Sequence, residues 1–292
     1  MLSVPMPPRP RPVTALGRAV RTWPFVTALV MAMAGLFLVT GVDSLASSSR
    51  SVLHGLCAQR PSHSYTIGGH LLPFDARMTG IYTGSLVTWI VLAVRGRLLS
   101  AGTPPWPVVA VLGAGVLALA LDGTNALLVD LAVWHPWEPL NATRLFTGFA
   151  TGVALATLEI WLIGTSLWRM SSRKPVWTGP RELWWTIPAA LGVYALVWLD
   201  IAWTYPLFVA ALLVSAWLTV TGLALVIVIS AFRLERRIGS IRQLEPPVVV
   251  AACGAIAIII GLAQVRFWLE STLGIPQDLA ASIVGPLASI LR

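Results

Sequence analysis

"VVAVLGAGVLALAL", residues 108–121, and "GFATGVALATLEIWLIGTSLW", residues 148–168, contain one ionisable side chain between them, Glu159. Apolar blocks approaching 20 residues are what a hydrocarbon core about 30 Å thick requires. The chain as a whole agrees: of its 292 residues 57% are hydrophobic and 11% charged, whereas a soluble domain carries roughly a quarter charged residues. There is too little polar surface here to coat a water-soluble protein. A backbone in lipid must satisfy its own N–H and C=O groups, so the composition predicts an all-α, polytopic transmembrane helical bundle.

Seven apolar segments can be drawn, at about 24–42, 80–94, 107–121, 145–168, 184–203, 206–232 and 247–265, with six spans as the alternative count. Basic residues in short loops stay cytoplasmic. With the N-terminus inside, Arg9, Arg11, Arg18, Arg21, Arg95, Arg97, Arg169, Arg173, Lys174, Arg181, Arg233, Arg236, Arg237 and Arg242 all fall on the cytoplasmic side, fourteen of the twenty bases. Eight of the twelve acids fall outside: Asp43, Asp75, Asp122, Asp130, Glu138, Asp200, Glu270 and Asp278. The expected topology is therefore N-terminus cytoplasmic and C-terminus extracytoplasmic. Nine tryptophans, among them Trp106, Trp134, Trp184, Trp203 and Trp268, sit near segment ends, where amphipathic rings prefer the interface. The net charge of +8 is spread over connectors, which excludes a nucleic-acid face and leaves the lipid bilayer, and proteins of a membrane complex, as the expected partners.

These readings divide the chain into a basic, proline-rich cytoplasmic tail (1–22), a four-helix membrane core with an extracytoplasmic loop at 46–79 (23–168), three further transmembrane helices (169–268) and an amphipathic extracytoplasmic tail (269–292). An "AMA" tripeptide in the first segment resembles a cleavage site, but the apolar run continues past it, so an uncleaved helix is expected. Cys57 and Cys253 are far apart, and no disulfide framework follows from them.

Several polar residues need a reason. Asp43, Asp122 and Asp200 each end an outward-running segment, at intervals of 79 and 78 residues. A carboxylate at a helix C-terminus opposes the macrodipole at about 0.3–1 kcal/mol, so Arg60, Arg77 and Arg144 on the same face are the expected ion-pair partners, and a cation or ligand site is the alternative. Glu159 lies inside a span, where an ionised side chain costs several kcal/mol unless paired or neutralised; it is expected to face the bundle interior. Gly80 with Gly84, and Gly148 with Gly152, have the spacing that lets helix backbones approach closely.

Between the first two apolar segments stands "HGLCAQRPSHSYTIGGHLLPFDARMTG", residues 54–80. Cys57, His63, His70 and Asp75 are candidate metal ligands by type, although zinc sites usually show tighter paired spacings such as CxxC. The residues resemble three ordered motifs of the bacterial integral membrane proteins catalogued as domain of unknown function 2085. The first, Cys-His-Gln-x-Pro-x-Arg-Ser-aromatic, aligns with Cys57, Ala58, Gln59, Arg60, Pro61, Ser62, His63, Ser64 and Tyr65. The second, Pro-x-Cys-x-Arg-Cys-x-Gly-Ile-Tyr, aligns with Pro73, Phe74, Asp75, Ala76, Arg77, Met78, Thr79, Gly80, Ile81 and Tyr82. Asp122, Gly123, Asn141, Arg144, Thr147 and Gly148 match the third. The resemblance runs from about residue 45 to 165 and implies a multi-pass protein of the bacterial cytoplasmic membrane. Its four soft ligands would suit a thiophilic metal, but this chain keeps only Cys57, with Ala58, Asp75 and Met78 at the other three positions. A harder site rebuilt from His63, His70 and Asp75 is the option left, and a bound metal ion is not favoured.

The scaffold residues survive: Gln59, Arg77, Asp122, Asn141 and Arg144, with Arg77–Asp122 or Arg144–Asp122 expected to tie the loop to the helices. The leading functional expectation is a non-enzymatic membrane protein whose outer polar cap binds a ligand, ion or partner subunit. A transporter using Glu159 and a diverged membrane metalloenzyme are the alternatives.

Overall fold

The computed structural model describes residues 42–167, 172–235, 238 and 241–273. The first apolar segment, the basic N-terminal tail and the amphipathic tail beyond residue 273 lie outside the described residues.

The chain enters through helix α1 (Val42–Leu53), passes a 3-10 turn at Pro61–His63 and forms a hairpin of β1 (Ser64–Ile67) and β2 (His70–Asp75). Gly68 and Gly69 make its two-residue turn with φ of +60° and +80°, the left-handed pair that tight hairpins favour. Gly68 also lies close enough to Ala202 that a Cβ would meet it at 2.6 Å. Strand β2 runs directly into α2 (Ala76–Val94), whose first turn is held by the Asp75 carboxylate accepting from the Met78 N–H at 2.8 Å. Then follow β3 (Ser100–Gly102), α3 (Trp106–Asp130), α4 (Asn141–Leu167), β4 (Ser172–Pro175) parallel to β3, a 3-10 stretch Pro180–Thr186 leading into α5 (Ile187–Leu199), α6 (Tyr205–Ala231) and α7 (Ile241–Leu273).

Six stretches are long and apolar enough to cross a membrane: Ala76–Val94, Trp106–Asp130, Asn141–Leu167, Pro180–Leu199, Ala202–Ala231 and Gln243–Leu273. They coincide with six of the seven segments read from the sequence. The two short segments extend as helix, α2 starting at Ala76 and α3 continuing to Asp130. The 46–79 stretch is an ordered helix and hairpin whose buried side chains join a core shared with α6 and α7. The 269–292 tail begins as uninterrupted α7, which runs through Leu273.

Helices α2 and α4 pack backbone to backbone. A Cβ on Gly80 would stand 2.3 Å from the Leu145 carbonyl oxygen, one on Gly84 2.2 Å from that of Phe149, and one on Gly152 2.1 Å from that of Ile81. The largest core joins α1 and the hairpin (Leu45, Leu53, Ile67, Leu72, Phe74) to α6 (Tyr205, Phe208, Leu212) and α7 (Ala255, Ile259). Helix α3 shows the reverse: Val111, Leu117, Leu121 and Leu127 are exposed, as lipid-facing side chains are.

The hairpin, α1, residues 131–140 and the start of α6 gather at one face, here termed the cap. The opposite face is closed by β3 and β4 and by Glu182, which accepts from Arg95 at 2.5 Å and lies 3.8 Å from Arg97. Trp106, Trp134, Trp184, Trp203 and Trp268 are exposed near helix ends, as interface anchoring expects.

Candidate functional site

Of the three aspartates expected at helix C-termini, only Asp200 stands at one; Asp122 lies inside α3 and Asp43 in the first turn of α1, yet each finds a partner within residues 54–80. Asp122 accepts from Arg77 at 2.7 Å, Asp43 lies 3.5 Å from the His70 ring, and Asp200 accepts from the Gly68 N–H at 2.7 Å. Asp200 ends α5 with φ of +49°, which turns its carboxylate towards the hairpin. A fourth acid, Asp130 at the end of α3, pairs with Arg60 at 2.7 Å. Donors from the hairpin segment thus offset the macrodipole cost of Asp200 and Asp130, at the C-terminal ends of α5 and α3. The hairpin segment is pinned to two spans, α3 and α5, and to α1.

The second and third motifs meet at Asp122, which is 3% exposed. Its second oxygen lies 3.3 Å from the Thr143 hydroxyl. Of the two pairings expected, Arg77–Asp122 forms. Arg144 instead donates to Asn141 Oδ1 at 2.9 Å, and Asn141 Nδ2 donates to the Ser62 carbonyl at 3.3 Å. Asn141 therefore ties the third motif to the first.

Gln59 adopts φ of +53° and is buried. Its amide nitrogen donates to the carbonyls of Arg50 (2.8 Å) and Pro73 (2.9 Å), while its amide oxygen lies 3.2 Å from His54 Nδ1. His54 Nε2 faces Glu270 at 2.8 Å and the ring stacks on Phe267 at 4.4 Å. Arg266, one turn before Glu270, donates to its carboxylate at 2.8 Å, to the His54 carbonyl at 2.7 Å and to the Cys57 carbonyl. Beside this network Ser47, Arg50, Ser51, His54, Ala58, Gln59, Pro61 and Phe267 line a groove of about 410 Å³. Sequence reasoning missed Arg50, Arg266 and Glu270; the one available signal was the i,i+4 spacing of Arg266 and Glu270 at a helix end.

The four metal candidates do not converge. Among the described residues no group of three or more His, Cys, Asp or Glu side chains could hold an ion. Cys57 Sγ accepts N–H bonds from Gln59 and Asp75, both at 3.4 Å. Burial, and after it the neighbouring Asp75 charge, push its thiol up to about 12, so a thiolate ligand is disfavoured. Asp75 itself caps α2. His63 follows Pro61 at the start of the hairpin, and burial, with the Arg144 and Arg60 charges, keeps its ring below the usual histidine range. His70 lies at the turn, roughly 16 Å along β2 from Asp75 at 3.3 Å per residue. A site rebuilt from His63, His70 and Asp75 therefore does not assemble, because the hairpin holds its two histidines at opposite ends.

Glu159 does not belong to the cap. It is buried, as expected, and accepts from Trp89 Nε1 at 3.2 Å, but it sits roughly 27 Å along α4 from Asn141.

Residues 57–158 match a family model described as "Predicted membrane protein (DUF2085)", the family that the three motifs resemble. An uncharacterized protein of Methanocaldococcus jannaschii is 35% identical over 98 residues, covering 33% of this chain and 56% of that relative. The chain thus spans about half the length of the curated relative it matches. No solved structure matches the chain.

Proposed function

On the premise that residues 57–158 are a segment of this predicted membrane protein family, we propose that the protein is a non-enzymatic, multi-pass protein of the cytoplasmic membrane whose outward cap binds a small anion. The groove lined by Ser47, Arg50, Ser51, His54 and Gln59 carries the reading. Its lining residues supply a guanidinium, an imidazole, an amide and two hydroxyls, with no carboxylate among them. Among the described residues Arg50 reaches only the Gln59 carbonyl, at 3.4 Å, so most of its donors are placed to meet a carboxylate or phosphate, for which a guanidinium fork is suited.

A hydrolytic reading of the same groove has less support. His54 uses Nδ1 on Gln59 and Nε2 on Glu270, so neither nitrogen faces the hydroxyl of Ser47 or Ser51 as a base would. An accessory-subunit role fits the same surface if the anion is a partner's carboxylate.

Thermal unfolding of detergent-purified protein with inorganic phosphate or citrate tests the proposal. Millimolar anion is expected to raise Tm by several degrees in the wild type and not in Arg50→Ala. An unchanged Tm with both anions, or equal shifts in Arg50→Ala, removes the groove as a binding site.

A further inference from the structure

Outside the cap, the one acid buried in the middle of the described helices is Glu159, 1% exposed where α2, α4 and α6 meet. Trp89 Nε1 donates to one carboxyl oxygen; the other has no hydrogen-bond partner among the described residues. Gly222 of α6 makes the room, since a Cβ there would stand 3.4 Å from the carboxyl carbon. Thr219 lies one turn earlier on the same face of α6, buried, with its hydroxyl also unpartnered among the described residues.

No arginine, lysine or histidine faces this carboxyl from α2, α4 or α6. Tyr82 on α2 is the titratable neighbour that feels its charge. An ionised carboxylate with no cation in a membrane interior costs several kcal/mol, whereas the acid form loses that charge and gains an O–H to donate. A hard metal cation would need several oxygen ligands at once, and the unpartnered oxygens here are too few.

The surroundings are also asymmetric along the membrane normal. Towards the cap, the seam carries interhelical hydroxyl bonds: Ser85 Oγ to the Gly152 carbonyl at 3.1 Å and Ser215 Oγ to the Tyr82 carbonyl at 2.5 Å. Away from the cap it is plugged by Ile163, Leu167, Leu225 and Ile229. Trp177, fully buried, comes up from the opposite face to donate to Thr157 at 2.9 Å.

We propose that Glu159 is an exchangeable proton site in the membrane, loaded from the cap side along the hydroxyl-lined seam of α2, α4 and α6. The carboxyl holds its proton at rest and trades it with solvent when the seam opens, which would let this bundle couple a proton to movement of another species.

Infrared spectroscopy of the purified full-length protein in phosphatidylcholine vesicles tests this. At pH 7 the wild type is expected to show a protonated-carboxyl C=O band that Glu159→Gln lacks. The band should shift in D2O within minutes and fade as pH rises. Trp89→Phe should move the band without abolishing it, which identifies the band even if Glu159→Gln folds poorly. Thr219→Val should slow the D2O shift at least several-fold, and Ile163→Val should not. A wild type without the band at pH 7, a band untouched by D2O over hours, or a band lost on adding sodium at constant pH overturns the assignment. Equal slowing by Thr219→Val and Ile163→Val overturns the cap-side route.

Discussion

Cys57 gains its meaning from the two N–H groups that point at it. Sulfur is a weak acceptor, but the Gln59 donor is buried and the Asp75 donor half-buried, and a buried N–H left without an acceptor costs about 1–3 kcal/mol. Cys57 is thereby a strut between the Gln59 bend and the start of α2, and its thiol, pushed up to about 12 by burial, stays protonated across the physiological range. Thiolate is the reactive form, so N-ethylmaleimide at pH 7–9 should leave Cys57 unmodified in the native protein and modify it fully after denaturation, as read by peptide mass spectrometry. Cys57→Ser, which keeps an acceptor, should lower Tm less than Cys57→Ala. Rapid native labelling at pH 8 would contradict the strut. Cys57 was legible as unusual because it stood without the family's other soft ligands; its use was not, because hydrogen bonds from Gln59 and Asp75 depend on a left-handed φ that no residue spacing encodes.

Helix α2 and helix α4 illustrate what a pattern of elements does encode. Small residues four apart on both helices predict close approach without naming the partner, and here each glycine row is the other's partner. The approach leaves no space for side chains: Gly152→Val would force a Cβ into the Ile81 carbonyl and the Ser85 N–H. Overpacking of this kind costs about 1–3 kcal/mol, and it would also strain the Ser85–Gly152 bond. The variant should elute as aggregate or show a markedly lower Tm in mild detergent, whereas Gly254→Ala, where a Cβ meets nothing within 4 Å, should behave as wild type. Comparable Tm values for the two would mean that the backbones are farther apart. The helix ends were less legible than the seams. Arg77 and Asp122 read as breaks in hydropathy, yet α2 already begins at Ala76 and α3 runs on past Asp122 to Asp130, and the two charges neutralise each other.

At the scale of the molecule, what sequence patterning concealed is that the cap reaches beyond the family segment. Arg266 and Glu270 of α7 grip His54 across more than 200 residues, and Tyr205 of α6 donates to the Leu71 carbonyl at 3.1 Å; such distant pairs have no period to read. The spans themselves were legible because lipid accepts only long apolar runs. Their arrangement sorts the charges onto two faces. Arg95, Arg97, Lys174, Arg181 and Arg233 lie opposite the cap and outnumber Glu182, Glu235 and Glu245 there, while at the cap Asp43, Asp75, Asp122, Asp130, Glu138, Asp200 and Glu270 outnumber Arg50, Arg60, Arg77, Arg144 and Arg266. Since lysine and arginine in short loops are retained in the cytoplasm, the cap should face outwards. A membrane-impermeant maleimide applied to intact cells decides it. On a Cys57→Ser, Cys253→Ala background, Ser62→Cys at the exposed rim of the hairpin should label at once. Lys174→Cys, exposed on the far side, should label only after the membrane is permeabilised. The reverse pattern would put the anion groove in the cytoplasm and direct the proton route to Glu159 inwards.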